Sequence, residues 1–483
     1  MQLTVLGDCE AWLETPGRER AVLGLTSDSR AVAPGWLFAA LSGSRTDGSR
    51  FVADAVARGA VAVLAADGVP IDVPAGVAVV RSREPRRSLA LLAARFHATQ
   101  PPRIVAVTGT NGKTSIAEFT RQILKSCGRE AASLGTIGIV RPSGAHYGGL
   151  TTPDPVALHA TLAGLAAEGI THLALEASSH GLDQHRLDGV RLTAAAFNNL
   201  GRDHLDYHPT MEAYLAAKLR LWDLLPAGAP AIVNADGPSA AEAIAAAKAR
   251  GHDVRTTGHA GTDLRLDDVQ RAGFRQRLAV VHAGRTFHVD LPLIGTYQAG
   301  NALVAAALAM ACGETADAVL PSLARITGVV GRLEVVAEFR GGIAVVDYAH
   351  KPEALAAALA ALRPFVTGKL VCIVGCGGDR DRGKRPIMGR IADEAADMAI
   401  VTDDNPRSED PAAIRAEVLA GAPGAREIGD RAEAIRAGMA MLGAGDVLLV
   451  AGKGHETGQI VGDRVQPFSD HEEIERAARE LGR

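Results

Sequence analysis

The chain has 483 residues, 47% of them hydrophobic and 22% charged, with a formal net charge of −4. These are globular proportions and a length for two to four domains. The small negative charge excludes a general attraction to nucleic acid or to an anionic membrane. Five cysteines (Cys9, Cys127, Cys312, Cys372, Cys376) without a C-x-x-C pair point to a reducing cytoplasm rather than a disulfide framework. The N-terminus reaches Asp8 and Glu10 before a signal-like apolar core forms, and the apolar stretch 302–312 is too short to span a bilayer. A soluble, cytosolic protein is expected.

Residues 1–100 alternate short strands and helices and close with a helical stretch, 86–97, and the linker Gln100-Pro101-Pro102. Two polar loops stand between apolar runs, Ser27-Asp28-Ser29-Arg30 and Gly43-Ser44-Arg45-Thr46-Asp47-Gly48. Asp and Ser in such turns can satisfy local backbone.

A β-branched run at 103–107 then flows into Thr108-Gly109-Thr110-Asn111-Gly112-Lys113-Thr114-Ser115 and a helical stretch, 116–124. This is the strand–loop–helix context in which bare backbone N–H groups and a helix N-terminus wrap nucleotide phosphates. Lys113 would reach the β- and γ-phosphates and the Thr114 hydroxyl would reach Mg²⁺, although Val107 stands where the general pattern has its first Gly. Binding of a nucleoside triphosphate, ATP, is expected.

Strand signals at 104–108, 172–175, 194–197 and 231–233, with helical stretches between several of them, predict a mostly parallel sheet. The stretch 277–293 reads as a hairpin around Ala283-Gly284. The segment 295–301 opens an Ala-rich helix. Glu176 ends the second strand, where a carboxylate can cap a helix or hold Mg²⁺. The run Asn198-Asn199-Leu200-Gly201-Arg202-Asp203-His204-Leu205-Asp206-Tyr207-His208 is dense in titratable groups. Metal ligation, acid–base work and a surface loop all remain open for it, and zinc is disfavoured for want of a second spaced His or Cys pair. Met211, Tyr214, Leu215, Lys218 and Trp222 share one helical face. Lys218 therefore sits in an apolar stripe, either paired or snorkelling to water.

The segment 331–483 repeats one design four times. Apolar runs at 343–346, 370–374, 398–402 and 447–450 end in Asp347-Tyr348-Ala349-His350, Gly375-Cys376-Gly377-Gly378-Asp379-Arg380, Asp403-Asp404-Asn405-Pro406-Arg407 and Ala451-Gly452-Lys453-Gly454-His455-Glu456. Buried parallel strands read as unbroken apolar runs, and ligands gather at their carboxyl ends. Four polar clusters at one end predict a site on a Rossmann-like domain.

The form Thr-Gly-Thr-Asn-Gly-Lys-Thr is narrower than a generic P-loop and resembles the Mur ligases, which join an amino acid to a carboxylate through an acyl phosphate. Thr151-Thr152-Pro153-Asp154, Glu176-Ala177-Ser178-Ser179-His180, Asp203-His204-Leu205-Asp206-Tyr207-His208 and Asp404-Asn405-Pro406-Arg407 continue the resemblance in order. It implies an α/β protein of three domains. Residues 1–100 would bind a uridine nucleotide, 101–330 would be a P-loop ATPase-type domain with a mostly parallel sheet, and 331–483 a Rossmann-like amino-acid-binding domain.

The resemblance also implies roles. Gly109, Thr110, Asn111, Gly112, Lys113, Thr114, Ser115, Asn301 and Arg332 would contact ATP. Ser27, Ser29, Ser44, Arg45, Thr46, Thr151, Thr152, Ser178, Gln184 and Arg186 would hold UDP-N-acetylmuramoyl-L-alanyl-D-glutamate. Lys113, Glu176, His204 and Lys218 would be catalytic. Lys218 aligns with a lysine that takes up CO₂ as a carbamate, and Thr114, Glu176, His204 and that carbamate would ligate Mg²⁺. Meso-diaminopimelate is lysine with a second carboxylate, which an Arg can grip through two parallel hydrogen bonds while an Asp takes the neighbouring ammonium. Arg380, Asp404, Asn405, Pro406, Arg407, Gly452 and Glu456 match the diaminopimelate contacts. An L-lysine-adding Mur ligase or a folylpolyglutamate synthase-like ligase is the alternative. Partners are expected to be small molecules only, without nucleic acid or membrane insertion, and the protein a monomer. His350 is a candidate base for the incoming amine. Lys351 and Leu150 depart from the family pattern, where a Thr and an Asn are expected.

Overall fold

In the first residues the side chains alternate between two apolar faces. Leu37, Ala39, Ala62, Leu64, Ala78 and Val80 pack with Leu89 and Leu92 of the helix Pro85–His97, whereas Phe38, Ala40, Val63 and Ala65 pack with Val52 and Ala55 of the helix Val52–Ala57. The period of two fixes a five-stranded sheet with a helix on each face. Its order is Trp12–Leu13, Ala78–Ser82, Ala62–Ala66, Trp36–Ala39, Gly24–Thr26, parallel except for the first strand. The computed structural model describes residues 1, 7–14, 21–43, 47–146 and 149–482. Ser44, Arg45 and Thr46 of the second polar loop lie outside the described residues.

The predicted central sheet is present. Its parallel strands run Asp253–Gly258, Pro230–Asn234, Ala194–Phe197, Arg103–Thr108, His172–Glu176, Ala131–Gly135, extended by the antiparallel Gly138–Arg141 and Gly144–His146. Val105 and Ala106 are buried on both sides, as a strand between helical layers requires. Register aligns the chemistry: Glu176 lies opposite Val107, and Phe197 opposite Thr108. Glu176, Gly109 and Asn198 thus leave the sheet at the same carboxyl edge.

The chain divides into two compact units, residues 1–265 with 304–319, and residues 266–303 with 320–483. In the second unit the predicted hairpin is Arg275–His282 paired with Arg285–Leu291. Its other sheet has the order Glu334–Phe339, Gly342–Asp347, Val447–Ala451, Leu370–Val374, Met398–Val401, Arg426–Glu427, with only the first strand antiparallel. The four predicted apolar runs are four of these parallel strands, so their polar ends share one edge. A ribbon, Gly458–Val461 with Arg464–Pro467, follows the last of them. Among the described residues no helix is long and apolar enough to cross a membrane.

Candidate active site

At the edge of the central sheet the strand Arg103–Thr108 turns through Gly109 to Gly112 into the helix Lys113–Ser126. Gly112 has φ +85° and takes the N-cap position, a conformation that favours glycine. Two asparagines from the neighbouring strand end clasp this turn. Asn111 N–H donates to Asn199 Oδ1 (2.9 Å), Thr110 N–H donates to the Asn199 carbonyl (3.0 Å), and Asn198 Nδ2 donates to the Asn111 carbonyl (3.0 Å). Thr110 Oγ1 accepts from Gly201 N–H (2.8 Å) and meets the Tyr214 hydroxyl (3.2 Å). The P-loop is thereby held from outside itself, and its amide array is preorganised. Thr114 and Ser115 lie buried in the first helical turn.

Two lysines converge on one oxygen of that turn. Lys113 Nζ donates to the carbonyls of Gly109 (2.8 Å) and Thr110 (3.0 Å). Lys218 Nζ donates to the same Gly109 carbonyl (2.7 Å) and stands 4.4 Å from the Tyr214 ring centroid. Lys218 belongs to the helix Met211–Leu219, whose N-cap Thr210 accepts from Ala213 N–H, and it is 1% exposed. The apolar stripe is real, and the snorkelling alternative is excluded by that burial. Burial first, then the Lys113 charge, hold the Lys218 amine well below the ordinary lysine range. A neutral amine is chemically suited to electrophiles such as CO₂, and the Lys113 cation at a helix N-terminus is suited to a polyphosphate.

Glu176 is 2% exposed and accepts from Thr136 N–H (2.7 Å) and Thr136 Oγ1 (3.2 Å). Around it the expected acceptor contacts form one network. Thr136 Oγ1 meets Thr151 Oγ1 (3.0 Å), and Thr152 Oγ1 donates to the Glu176 carbonyl (3.0 Å) while accepting from Ser178 N–H and Oγ (3.1 and 3.0 Å). Arg186 donates to the Thr152 carbonyl (2.7 Å) and to Gln184 Oε1 (2.7 Å), and Gln184 Nε2 donates to the Tyr207 hydroxyl (3.1 Å). His204, at φ +54°, lies with its ring 4.8 Å from that of His180, which also stacks 4.1 Å from Tyr207. Burial lowers the His180 and His208 pKa values, favouring neutral rings. No group of three His, Cys, Asp or Glu residues that could cage a metal exists among the described residues. The oxygen donors Thr114 and Glu176 fit a Mg²⁺ that keeps its waters and arrives on phosphate. In the first sheet Ser27 is exposed and Ser29 half-buried, while Asp28 accepts from Arg30 N–H.

The second unit carries the other expected residues. Asn301 Nδ2 donates to Gln298 Oε1 (3.0 Å), and the Arg332 guanidinium stacks 5.0 Å from the Tyr348 ring centroid. Asp347 accepts from Leu333 N–H (2.8 Å), and burial pushes its carboxyl up to about 6 against the pull of Arg332. Arg407, at φ +52°, donates through Nη1 to the carbonyls of Gly378 (2.8 Å) and Asn405 (3.3 Å). A side chain at Gly377 would strike that guanidinium at 2.7 Å, and one at Gly452 would strike Asp404 Oδ2 at 2.7 Å. Asp404, Asn405 and Pro406 are buried, and Glu456 accepts from Asn405 Nδ2 (2.9 Å), its pKa raised by burial. Arg380 stands apart, exposed, on the Asp379 carbonyl (2.9 Å). His350 meets the Tyr348 carbonyl through Nδ1 (2.9 Å) and its pKa is lowered by burial, which weakens it as a base. Lys351 takes the N-cap of the helix Pro352–Leu362 without a side-chain cap bond, a bond that Thr could supply. Leu150 is exposed.

Sequence reasoning passed over the asparagine clasp, the Thr110–Tyr214 contact and three buried cations, Arg385, Arg431 and Lys453. Arg385 grips Glu409 and Glu417, and Arg431 grips Asp470. The signal for Lys453 was a lysine two residues after a buried strand; the two arginines lie in helices whose sequence looks surface-like.

Three family models match the chain: "Mur ligase family, catalytic domain" over residues 22–97, "Mur ligase middle domain" over 107–309, and "Mur ligase, glutamate ligase domain" over 331–454. The chain is 56% identical over 485 residues to the UDP-N-acetylmuramoyl-L-alanyl-D-glutamate–2,6-diaminopimelate ligase of Bradyrhizobium diazoefficiens, covering 99% of each chain. It is 56% identical over 460 residues to the ligase of the same name from Agrobacterium fabrum, covering 95% of this chain and 93% of that one. A solved structure of a ligase of this name superposes with a TM-score of 0.76 at 32% identity, covering 100% of this chain and 99% of the other.

Proposed function

Since the chain belongs to the Mur ligase family, we propose that it is an ATP-dependent amide-forming ligase of peptidoglycan synthesis. It joins meso-diaminopimelate to the D-glutamate γ-carboxylate of UDP-N-acetylmuramoyl-L-alanyl-D-glutamate. The observation that carries this reading is the 56% identity, over 99% of both chains, to a ligase of that name. A cytoplasmic location follows from those substrates.

The γ-carboxylate attacks the γ-phosphorus of ATP and ADP leaves; the amine of diaminopimelate then attacks the acyl carbon and phosphate leaves. Lys113 and the P-loop amides draw charge off the transferring phosphoryl group. Gly109 to Ser115 cradle the phosphates, with Asn301 and Arg332 as further ATP contacts. Mg²⁺, when bound, neutralises phosphate charge, and Thr114, Glu176, His204 and a carbamylated Lys218 are the residues to hold it. Lys218 meets the requirement for carbamylation, an amine that burial keeps neutral. The N–C bond forms on CO₂ and the amine nitrogen loses a proton, which replaces a buried neutral amine with an anion. Ser27, Ser29, Ser44, Arg45, Thr46, Thr151, Thr152, Ser178, Gln184 and Arg186 hold the UDP-muramyl dipeptide. Arg407 and Asp404, with Arg380, Asn405, Pro406, Gly452 and Glu456, hold diaminopimelate.

The test is phosphate release with the muramyl dipeptide and a panel of amino acids. Turnover is expected with meso-diaminopimelate and little with L-lysine, which leaves Arg407 without a carboxylate at a typical cost of about 2–5 kcal/mol. Arg407→Ala should weaken diaminopimelate use far more than ATP use. Equal use of both amino acids by the unmutated protein would overturn the substrate assignment. For Lys218, ¹³C-bicarbonate should give a carbamate resonance that Lys218→Ala lacks, and acetate should partly rescue that variant.

A further inference from the structure

Among the buried titratable groups that the chemistry proposed above does not use, Lys453 contacts residues of the amino-acid set. Lys453 follows the strand Val447–Ala451, and its side chain is 0% exposed. A lysine ammonium out of water is costly unless its donors are met and its charge is answered. Here Nζ donates to Asn405 Oδ1 (3.1 Å) and to the Gly458 carbonyl (3.1 Å), with Asp404 Oδ1 at 4.0 Å. The same Asn405 Oδ1 accepts from Ile460 N–H (2.9 Å), and Asn405 Nδ2 donates to Glu456 Oε2 (2.9 Å).

These contacts determine which way the amide points. Two N–H donors meet its oxygen, so the opposite orientation would set an NH₂ against an ammonium and a backbone N–H. The amide nitrogen is therefore directed at Glu456. This buried cation also stands beside two carboxylates, Asp404 and Glu456, and adds to the positive charge that Arg431 and Arg407 bring to them. We infer that Lys453 is a positioning residue for amino-acid recognition: it fixes the Asn405 amide and so holds Asp404 and Glu456 in the arrangement that accepts the ammonium of the incoming amino acid. Lys453 itself does not touch that substrate. Burial lowers its pKa, and Asp404 and Glu456 oppose that shift.

This inference rests on the ligase reading, and the experiment separates the two. The full-length unmutated protein is assayed first with ATP, the muramyl dipeptide and meso-diaminopimelate; absence of turnover defeats the ligase reading itself. Lys453→Met keeps the stem and removes the ammonium. The KM for meso-diaminopimelate is expected to rise roughly 10- to 150-fold, the scale of a lost hydrogen bond to a charged group. The KM for ATP should stay within about twofold, since the P-loop contacts are untouched. Lys453 should also act through Asn405, so Lys453→Met/Asn405→Ala should be no worse than Asn405→Ala alone. Should Lys453→Met not fold, Lys453→Arg retains the cation with a different donor geometry and should show a smaller rise confined to the same KM. An amino-acid KM unchanged within twofold in the folded variant, an equal rise in the KM for ATP, or additive effects in the double variant would each overturn the inference.

Discussion

The carboxyl edge of the central sheet and that of the C-terminal sheet are built alike and charged differently. At the first, Lys113 and Lys218 share one carbonyl oxygen, and the buried acid Glu176 is occupied by Thr136. The Lys113 cation at the start of its helix gives this edge its positive character. At the second, buried cations are answered by carboxylates: Arg431 with Asp470, Arg385 with Glu409 and Glu417, Lys453 with Asp404 at 4.0 Å. A site for a polyanion must carry uncompensated donors, whereas a site for a zwitterionic amino acid needs both signs held at fixed positions. One fold edge serves either purpose, and the choice is made by side chains at strand ends.

The largest test of this contrast is the Arg431–Asp470 pair, where both side chains are 0% exposed and two hydrogen bonds of 2.7 and 2.8 Å join them. Arg431→Met should cost about 3–5 kcal/mol in denaturant unfolding because it strands a buried carboxylate. Arg431→Met/Asp470→Leu should recover much of that loss. A double variant as unstable as the single one would mean that the pair does more than answer its own charges.

At the other edge the prediction inverts. Lys113→Ala should lower kcat by about 10²–10³, or ~2.7–4 kcal/mol, as for loss of one preorganised donor. Its melting temperature should change little, because the hydrogen bonds that Lys113 makes to Gly109 and Thr110 are local to the turn. A clear drop in melting temperature would show that Lys113 is structural there too.

A smaller effect has opposite signs in the two units. His159 is buried against the Asp188 carbonyl (3.0 Å), and its pKa is lowered from 6.5 to about 4, chiefly by burial. The unfolded chain takes up this proton first, so the stability is present above pH 6.5 and is lost as pH falls toward 4. The full contribution is on the order of 3 kcal/mol. Asp347 is shifted upward from 3.8 to about 6, so its contribution is present below pH 3.8 and is lost as pH rises through about 6. Hydrogen exchange resolved by segment between pH 7 and pH 4 should show residues around 155–190 loosening while residues around 342–347 tighten. His159→Gln should flatten the first trend only.

The smallest prediction concerns a cap. Thr210 Oγ1 accepts from Ala213 N–H (3.2 Å) at the start of the Lys218 helix. Thr210→Ala should cost about 1 kcal/mol in unfolding.

Which parts were legible in the sequence follows from what a one-dimensional pattern records. The apolar runs at 343–346, 370–374 and 447–450 read as buried parallel strands and are so, because both faces of each strand are covered. The P-loop helix and the Lys218 face were readable because glycine punctuation and a 3.6 period act over short spans. Arg385 and Arg431 were not. Each sits in a helix of mixed composition and is buried by carboxylates 24 to 39 residues away, which no local period reports. The clasp of Asn198 and Asn199 on Asn111 spans 87 and 88 residues and depends on strand register. Motif spacing points to individual residues, while the network joining Thr136, Thr151, Thr152, Ser178 and Glu176 is a property of the sheet.

The second unit is not one continuous piece of chain: residues 266–303 join 320–483, with 304–319 belonging elsewhere. Ile294 and Phe274 pack with the core that includes Leu333, Val345 and Phe365. During synthesis the hairpin therefore emerges well before the strands that complete its unit, including Val447–Ala451, have been made. For that interval Phe274 and Ile294, which flank the hairpin, lack their final partners and wait on closures that span tens of residues. Such long-range closure slows folding and lengthens exposure to wrong contacts. A gene fragment beginning near residue 331 would carry the amino-acid edge yet lack part of its own core, so a circular permutant that makes 266–303 contiguous with the remainder is the more promising way to express that unit alone.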